Sequence, residues 1–279
     1  MKKNTLIDKI QTFIINAIVM IFSFTCIFPV LWLVYSSMKT QKEFSLSIIS
    51  IPAHPNLDNY IDIMNGGKIP RYFMNSIFIS LISVSLIVAL AFVTGYFLSR
   101  YRFRGRNIIY IMFLSGMLIP VHSLLIPIFI EFRGLGLLNN RITLILPYIA
   151  LGLPLAIFLF DSFIHTIPIE MEEAAYIDGL TIPKLLMYII LPMCRPVIST
   201  IIILSFLYCW NEFPFALVLI SSEAFKTIPI GLANFSGALT AKYTLLMAAL
   251  VIATLPVLIV YLAFYKKIIQ GMTAGAVKG

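Results

Sequence analysis

Six stretches of this chain are long and apolar enough to cross a bilayer, and nothing else in the sequence constrains the fold as tightly. A bilayer core of about 30 Å calls for roughly 20 consecutive apolar residues in a helix. The predicted spans cover about residues 11–37, 73–99, 108–130, 142–164, 197–220 and 243–265. Gln11–Ser37, Phe73–Ser99, Ile108–Ile130, Ile142–Phe160 and Tyr243–Tyr265 contain no Asp, Glu, Lys or Arg, and Val197–Ile220 contains only Glu212. A closed β-barrel is the other way to satisfy a backbone in lipid, but its strands alternate apolar and polar residues. These runs are apolar on every side, so the expected fold is all-α, with residues 1–279 forming a single transmembrane domain. Composition agrees: 60% of the residues are hydrophobic and 11% charged, against about 25% charged in a soluble domain. Too few charges exist to cover a soluble globule, which excludes a soluble enzyme, a nucleic-acid-binding domain and a disordered chain.

The net charge of +8 therefore reads as a topological signal rather than an affinity for nucleic acid. With the N-terminus inside, 12 Lys and Arg fall on the inner side and 8 on the outer. Arg100, Arg102, Arg104 and Arg106 cluster beside one membrane edge, where charge counts most. Both termini are expected in the cytoplasm of a cell whose plasma membrane holds the protein. Lys2, Lys3 and Lys9 ahead of an apolar run suggest a signal peptide, but the run is too long and no A-x-A site follows it. Cys26, Cys194 and Cys209 are scattered and odd in number, giving no disulfide framework and no metal spacing.

Two connections exceed simple turns. The outer one, residues 38–72, holds Pro52, Pro55 and Pro70 and reads as an irregular external cap. The inner one, residues 165–196, holds the densest acidic group in the chain. Pro168 suits a first helical turn, Glu170, Glu172 and Glu173 suit the positive end of a helix dipole, and Gly179 suits a left-handed stop. The spacing predicts a two- to three-turn helix in the cytoplasm, followed by Leu180–Leu191 along the interface. Composition alone would allow a merely solvated acidic loop. However, Glu173-Ala174-Ala175, three residues, Gly179, nine residues, Ile189, one residue and Leu191-Pro192 resemble, without departure, the signature of ABC importer permeases.

Other residues narrow that resemblance. Asn59-Tyr60 with Asn75-Ser76, Trp210-Asn211-Glu212-Phe213, and Leu255-Pro256 look like the carbohydrate-uptake branch. The ending Gly271–Gly279 is similar to the tail of the maltose-type inner permease subunit. The resemblance implies a type I ABC importer permease fold of six transmembrane helices with a cytoplasmic coupling helix. It also implies two separate ATP-binding subunits, a second permease subunit and an extracellular sugar-binding protein. The residues it would use for ATPase coupling are Glu172, Glu173, Ala174, Ala175, Asp178, Gly179, Ile189, Leu191 and Pro192.

The chain has no Gly-x-x-x-x-Gly-Lys-Ser/Thr loop, so it is expected to be non-catalytic and to bind no cofactor. ATP and magnesium would sit on the partner ATPases. Glu212 is expensive in a span unless paired or facing a cavity. With Trp210 and Asn211 it forms a candidate translocation-pathway group suited to polyhydroxyl substrates; a packing bond to the partner subunit is the plainer reading. Pro120, Pro127, Pro147 and Pro154 predict kinks. An ion-coupled secondary transporter is the rival reading, though it would need coupling carboxylates and Glu212 stands without an evident partner. A membrane protease would need Gly-x-Ser-Gly or His-Glu-x-x-His, and neither occurs.

Overall fold

The computed structural model describes residues 6–236 and 242–276. Residues 277–279 of the tail resemblance, like Lys2 and Lys3, lie outside these. Two compact units divide the chain: Met1–Ile69 with Leu232–Thr254, and Pro70–Gly231 with Leu255–Gly279. Every described regular element is helical.

In the first unit, α1 (Leu6–Ser37) runs 32 residues, about 48 Å at 1.5 Å per residue. None of its apolar window is buried by the rest of the chain. The segment that follows folds around two short helices, α2 (Gln41–Leu46) and α3 (Asp58–Asn65). Thr40 and Glu43 form a reciprocal capping box at the start of α2. The Thr40 backbone N–H holds the Glu43 carboxyl below the usual carboxylate range. Buried Asn59 ties the segment together: its amide donates to the carbonyls of Ser37 and Lys39 at 2.8 Å, and its oxygen accepts from Thr244 at 3.0 Å. Phe44 stacks on Tyr243 with ring centroids 5.8 Å apart.

In the second unit, α4 (Lys68–Arg100) and α7 (Ile142–Ile164) are spanning-length helices. They pack face to face because Gly95 carries no side chain; a Cβ there would lie 2.7 Å from Phe160 Cβ. Phe92 and Phe160 meet edge-on, centroids 5.5 Å apart. The core around them includes fully buried Ile87, Tyr96, Leu144, Tyr148, Ile157 and Ile164. Although Pro147 and Pro154 predict kinks, α7 passes through both as one continuous element.

The third expected span is divided. It consists of α5 (Arg106–Ser115) with a following 3₁₀ turn, then a second 3₁₀ turn leading into α6 (Leu125–Gly134). The two halves meet at 97°. Ile119, forced out of the helical region by Pro120, is extended at φ −78, ψ 121. Pro127 leaves no break because it sits in the first turn of α6, where no N–H is needed.

After α7 comes α8 (Glu170–Ile177), then α9 (Ile182–Leu185), a π turn over Leu186–Ile190 and α10 (Leu191–Met193). Pro192 removes the donor that would close on Tyr188, and the turn before it widens, with Leu191 N–H reaching Leu186. The chain then bends by 78° into α11 (Arg195–Asn211). This bend sets α9, the π turn and α10 at an angle to α11. The fifth expected span breaks again at Glu212–Phe213 before α12 (Pro214–Leu219). After α13 (Ile228–Ser236), α14 (Tyr243–Ala276) continues 34 residues and keeps residues 271–276 of the glycine-containing tail helical. Among the described residues, four helices are long and apolar enough to cross a membrane, and the number is six if each bent pair is one span.

Candidate functional site

The acidic loop after α7 forms the short helix that the spacing predicts. Helix α8 carries Glu170, Glu172 and Glu173 in its first turn, where the dipole favours them. It ends on Gly179, whose φ of +77 is left-handed. Leu180 N–H then closes on the carbonyl of Ala175 at 3.0 Å, the pattern that satisfies a helix C-terminus.

One side of α8 is an anchor. Arg100, the last residue of α4, donates from Nε to Glu172 Oε1 at 2.5 Å and from its other arm to the Ile167 carbonyl at 2.7 Å. Tyr96, one turn earlier, donates to Glu172 Oε2 at 2.9 Å. The Glu172 side chain is 3% exposed. Ala175 is buried on the same side. Glu172, expected among the ATPase-coupling residues, turns inward, where Arg100 and Tyr96 bond both its oxygens. Tyr176 meets Tyr101 at 3.4 Å, and this bond with burial pushes the Tyr101 hydroxyl above its usual value.

The other side faces outward. Glu173, Ala174, Asp178 and Gly179 are exposed, and so are Met171 and Ile177, the latter 87%. A Cβ built on Gly179 would meet nothing within 4 Å. Ile189, Leu191 and Pro192 are half-buried: they brace the turn behind α8 rather than extend its exposed face. Nearby, Asp161 lies 4.0 Å from Arg106 and 3.7 Å from His165.

The second candidate group separates on inspection. Trp210 is buried, stacked on Phe206 and edge-on to Phe73, both with centroids 5.6 Å away. Glu212 sits in the break between α11 and α12 and caps the latter. Its carboxylate accepts from Phe215 N–H at 2.6 Å, Ala216 N–H at 3.1 Å and Tyr148 Oη at 2.7 Å. Only Asn211 is exposed, its amide donating to the Leu207 carbonyl. A cleft of about 240 Å³ opens at the break, lined by Val121, Tyr208, Asn211, Glu212 and Pro214 among others. The buried Tyr208 hydroxyl has no hydrogen-bond partner.

Arg100, Tyr96 and Tyr148 were not singled out as site residues from the sequence. A usable signal existed for the cap: Glu212 two residues before Pro214, a proline suited to a first helical position, followed by an apolar run.

Comparison with known proteins agrees with this arrangement. The family model described as the binding-protein-dependent transport system inner membrane component matches residues 87–274. The sulfoquinovosyl glycerol transport system permease protein SmoH of Agrobacterium fabrum is 34% identical over 91% of this chain and 89% of its own length. The trehalose/maltose transport system permease protein MalG of Thermococcus litoralis is 35% identical over 95% of this chain and 96% of its own. A chain of a bacterial ABC transporter involved in the import of the acidic polysaccharide alginate superposes with a TM-score of 0.84 at 22% identity, covering 95% of this chain and 99% of that one. That match shows the fold. Taken with the apolar helices, the family model and these near full-length relatives show that the chain is an integral membrane protein belonging to the binding-protein-dependent transport system inner membrane components.

Proposed function

We propose that this chain is the permease subunit of a carbohydrate importer, driven by ATP hydrolysis on two separate subunits through helix α8. The observation that carries the reading is the two-sided build of α8. A buried ion pair fixes one side to the end of α4, while acidic, small and apolar residues stand exposed on the other. An isoleucine exposed as Ile177 is, beside three carboxylates outside any span, is a contact waiting for a protein surface. Closure of the ATPases on ATP would pull α8 as a rigid lever and rock the helices it is anchored to. ATP and magnesium belong to those subunits, and this chain performs no catalysis itself.

The substrate class rests on the relatives, two of which are named for carbohydrates, sulfoquinovosyl glycerol and trehalose/maltose. The cleft beside Asn211 offers an exposed amide, a group that suits polyhydroxyl solutes. A second permease subunit and an extracellular sugar-binding protein complete the assembly, with both termini of this chain in the cytoplasm. The ion-coupled alternative loses its one carboxylate, since Glu212 is held as a helix cap.

The test uses the assembled transporter in liposomes. Glu173→Lys should lower sugar-dependent uptake at least about tenfold, the equivalent of ~1.4 kcal/mol of coupling, while leaving the amount of inserted protein unchanged. Unaltered uptake by that variant contradicts the reading.

A further inference from the structure

The external segment after α1 carries a second apolar surface, unconnected with α8. Leu46, Ile48, Ile49 and Ile51 are 78%, 55%, 70% and 77% exposed. The fourteen residues 44–57 contain no Asp, Glu, Lys or Arg. An exposed run of this kind on a water-facing loop is a liability.

The backbone beneath it is satisfied in an unusual way. Trp32 Nε1 donates to the Ile48 carbonyl at 3.1 Å, and Tyr35 Oη donates to the Ile49 carbonyl at 2.7 Å. Lys39 Nζ, on a fully buried residue, donates to the carbonyls of Ser47 and Ile48 at 3.1 and 3.0 Å. Its ammonium lies over the rings of Tyr35 and Phe44. The hydroxyls of Ser45 and Ser50 also turn back onto the chain's own carbonyls. These donors stand where water would on the carbonyls of Ser47, Ile48 and Ile49, as irregular backbone at membrane depth requires of the groups it removes from water.

The bonds also fix the height of the loop. Trp32 lies five residues, about 7.5 Å at 1.5 Å per residue, before the end of α1, and the Ile48 carbonyl comes within reach of its indole N–H. Trp and Tyr concentrate at the level where acyl chains meet headgroups, and Trp32 and Tyr35 hold the loop there.

We propose that residues 46–51 form an apolar finger inserted into the bilayer leaflet at the C-terminal end of α1, with lipid acyl chains as its partner. Under the topology proposed above this is the outer leaflet. The insertion itself does not depend on that topology or on the transport reading. Leu46, Ile49 and Ile51 enter the acyl region, while Lys39, Trp32 and Tyr35 relieve the carbonyls of Ser47, Ile48 and Ile49.

The test places a fluorophore on Ile49→Cys, and separately on Ile51→Cys, in the assembled transporter carrying Cys26→Ala. Cys194 and Cys209 are buried and stay unlabelled. Asp58→Cys, exposed on α3, is the water-facing control. In phosphatidylcholine liposomes, a doxyl lipid with its nitroxide near the headgroup should quench both isoleucine sites several-fold more than the control. Aqueous iodide should quench them several-fold less. Iodide quenching equal to that of Asp58→Cys overturns the proposal. Protection from both quenchers also overturns it, and assigns the patch to a protein partner instead.

Discussion

At the residue scale, the contact on which the most depends is Arg100 with Glu172. Removing one partner of a buried pair leaves an uncompensated charge and costs about 3–5 kcal/mol, whereas replacing both with apolar residues is often neutral. Glu172→Met and Arg100→Met should therefore each lower the thermal unfolding temperature of the purified protein. The double variant should be clearly more stable than the sum of the two losses predicts; simple additivity would mean that the pair does not act as a unit. Gly179 allows fold and docking to be separated. Its left-handed φ is tolerated by Asn and strained for Val, and its surroundings within the chain are empty. Gly179→Asn should keep the wild-type unfolding temperature yet lose coupled uptake, because a partner backbone no longer approaches. Full uptake by Gly179→Asn would show that the glycine serves the turn alone. The Gly179 stop was legible in the sequence because a helix end has local chemistry. The inward turn of Glu172 was not, since its partners lie 72 and 76 residues away.

At the element scale, the helices were readable as apolar runs, but their breaks only in part. Pro120 announces a break because its ring acts on the residue before it, yet no local rule sets an angle of 97°. Pro147 and Pro154 carry the same chemistry without interrupting α7, since neighbouring helices can hold a proline-bearing helix in line. The second break, at Glu212, is built by long-range capping: Tyr148 on α7 joins two backbone N–H groups of α12 on one carboxylate. This accounts for an acidic residue inside a span without assigning it to the solute path. The α4–α7 contact makes its own prediction. Gly95→Ala sets a Cβ against Phe160 Cβ and 3.3 Å from Asp161 N, and overpacking of this kind typically costs 1–3 kcal/mol. A lowered unfolding temperature is expected. An unchanged one would mean that α4 and α7 shift apart freely, and the anchor of α8 would then be no fixed point.

At the scale of the whole molecule, six apolar runs, the Glu-Ala-Ala…Gly spacing and the carbohydrate-branch motifs together made the family legible before any coordinates. They did so because membrane spans obey length and solvation rules that sequence shows directly. What sequence could not show is which face of α8 belongs to the protein itself. The helix turns one acid, Glu172, inward to Arg100 and leaves a second face for something else, and the account stands or falls on what that is. The most direct measurement is site-specific photocrosslinking from a probe at Ile177 in the intact transporter. The account predicts a crosslink to the ATP-binding subunit that forms in the cytoplasm and changes in yield when ATP is added. Labelling of the same position by a membrane-impermeant reagent from outside the cell, or crosslinking to lipid alone, would contradict it.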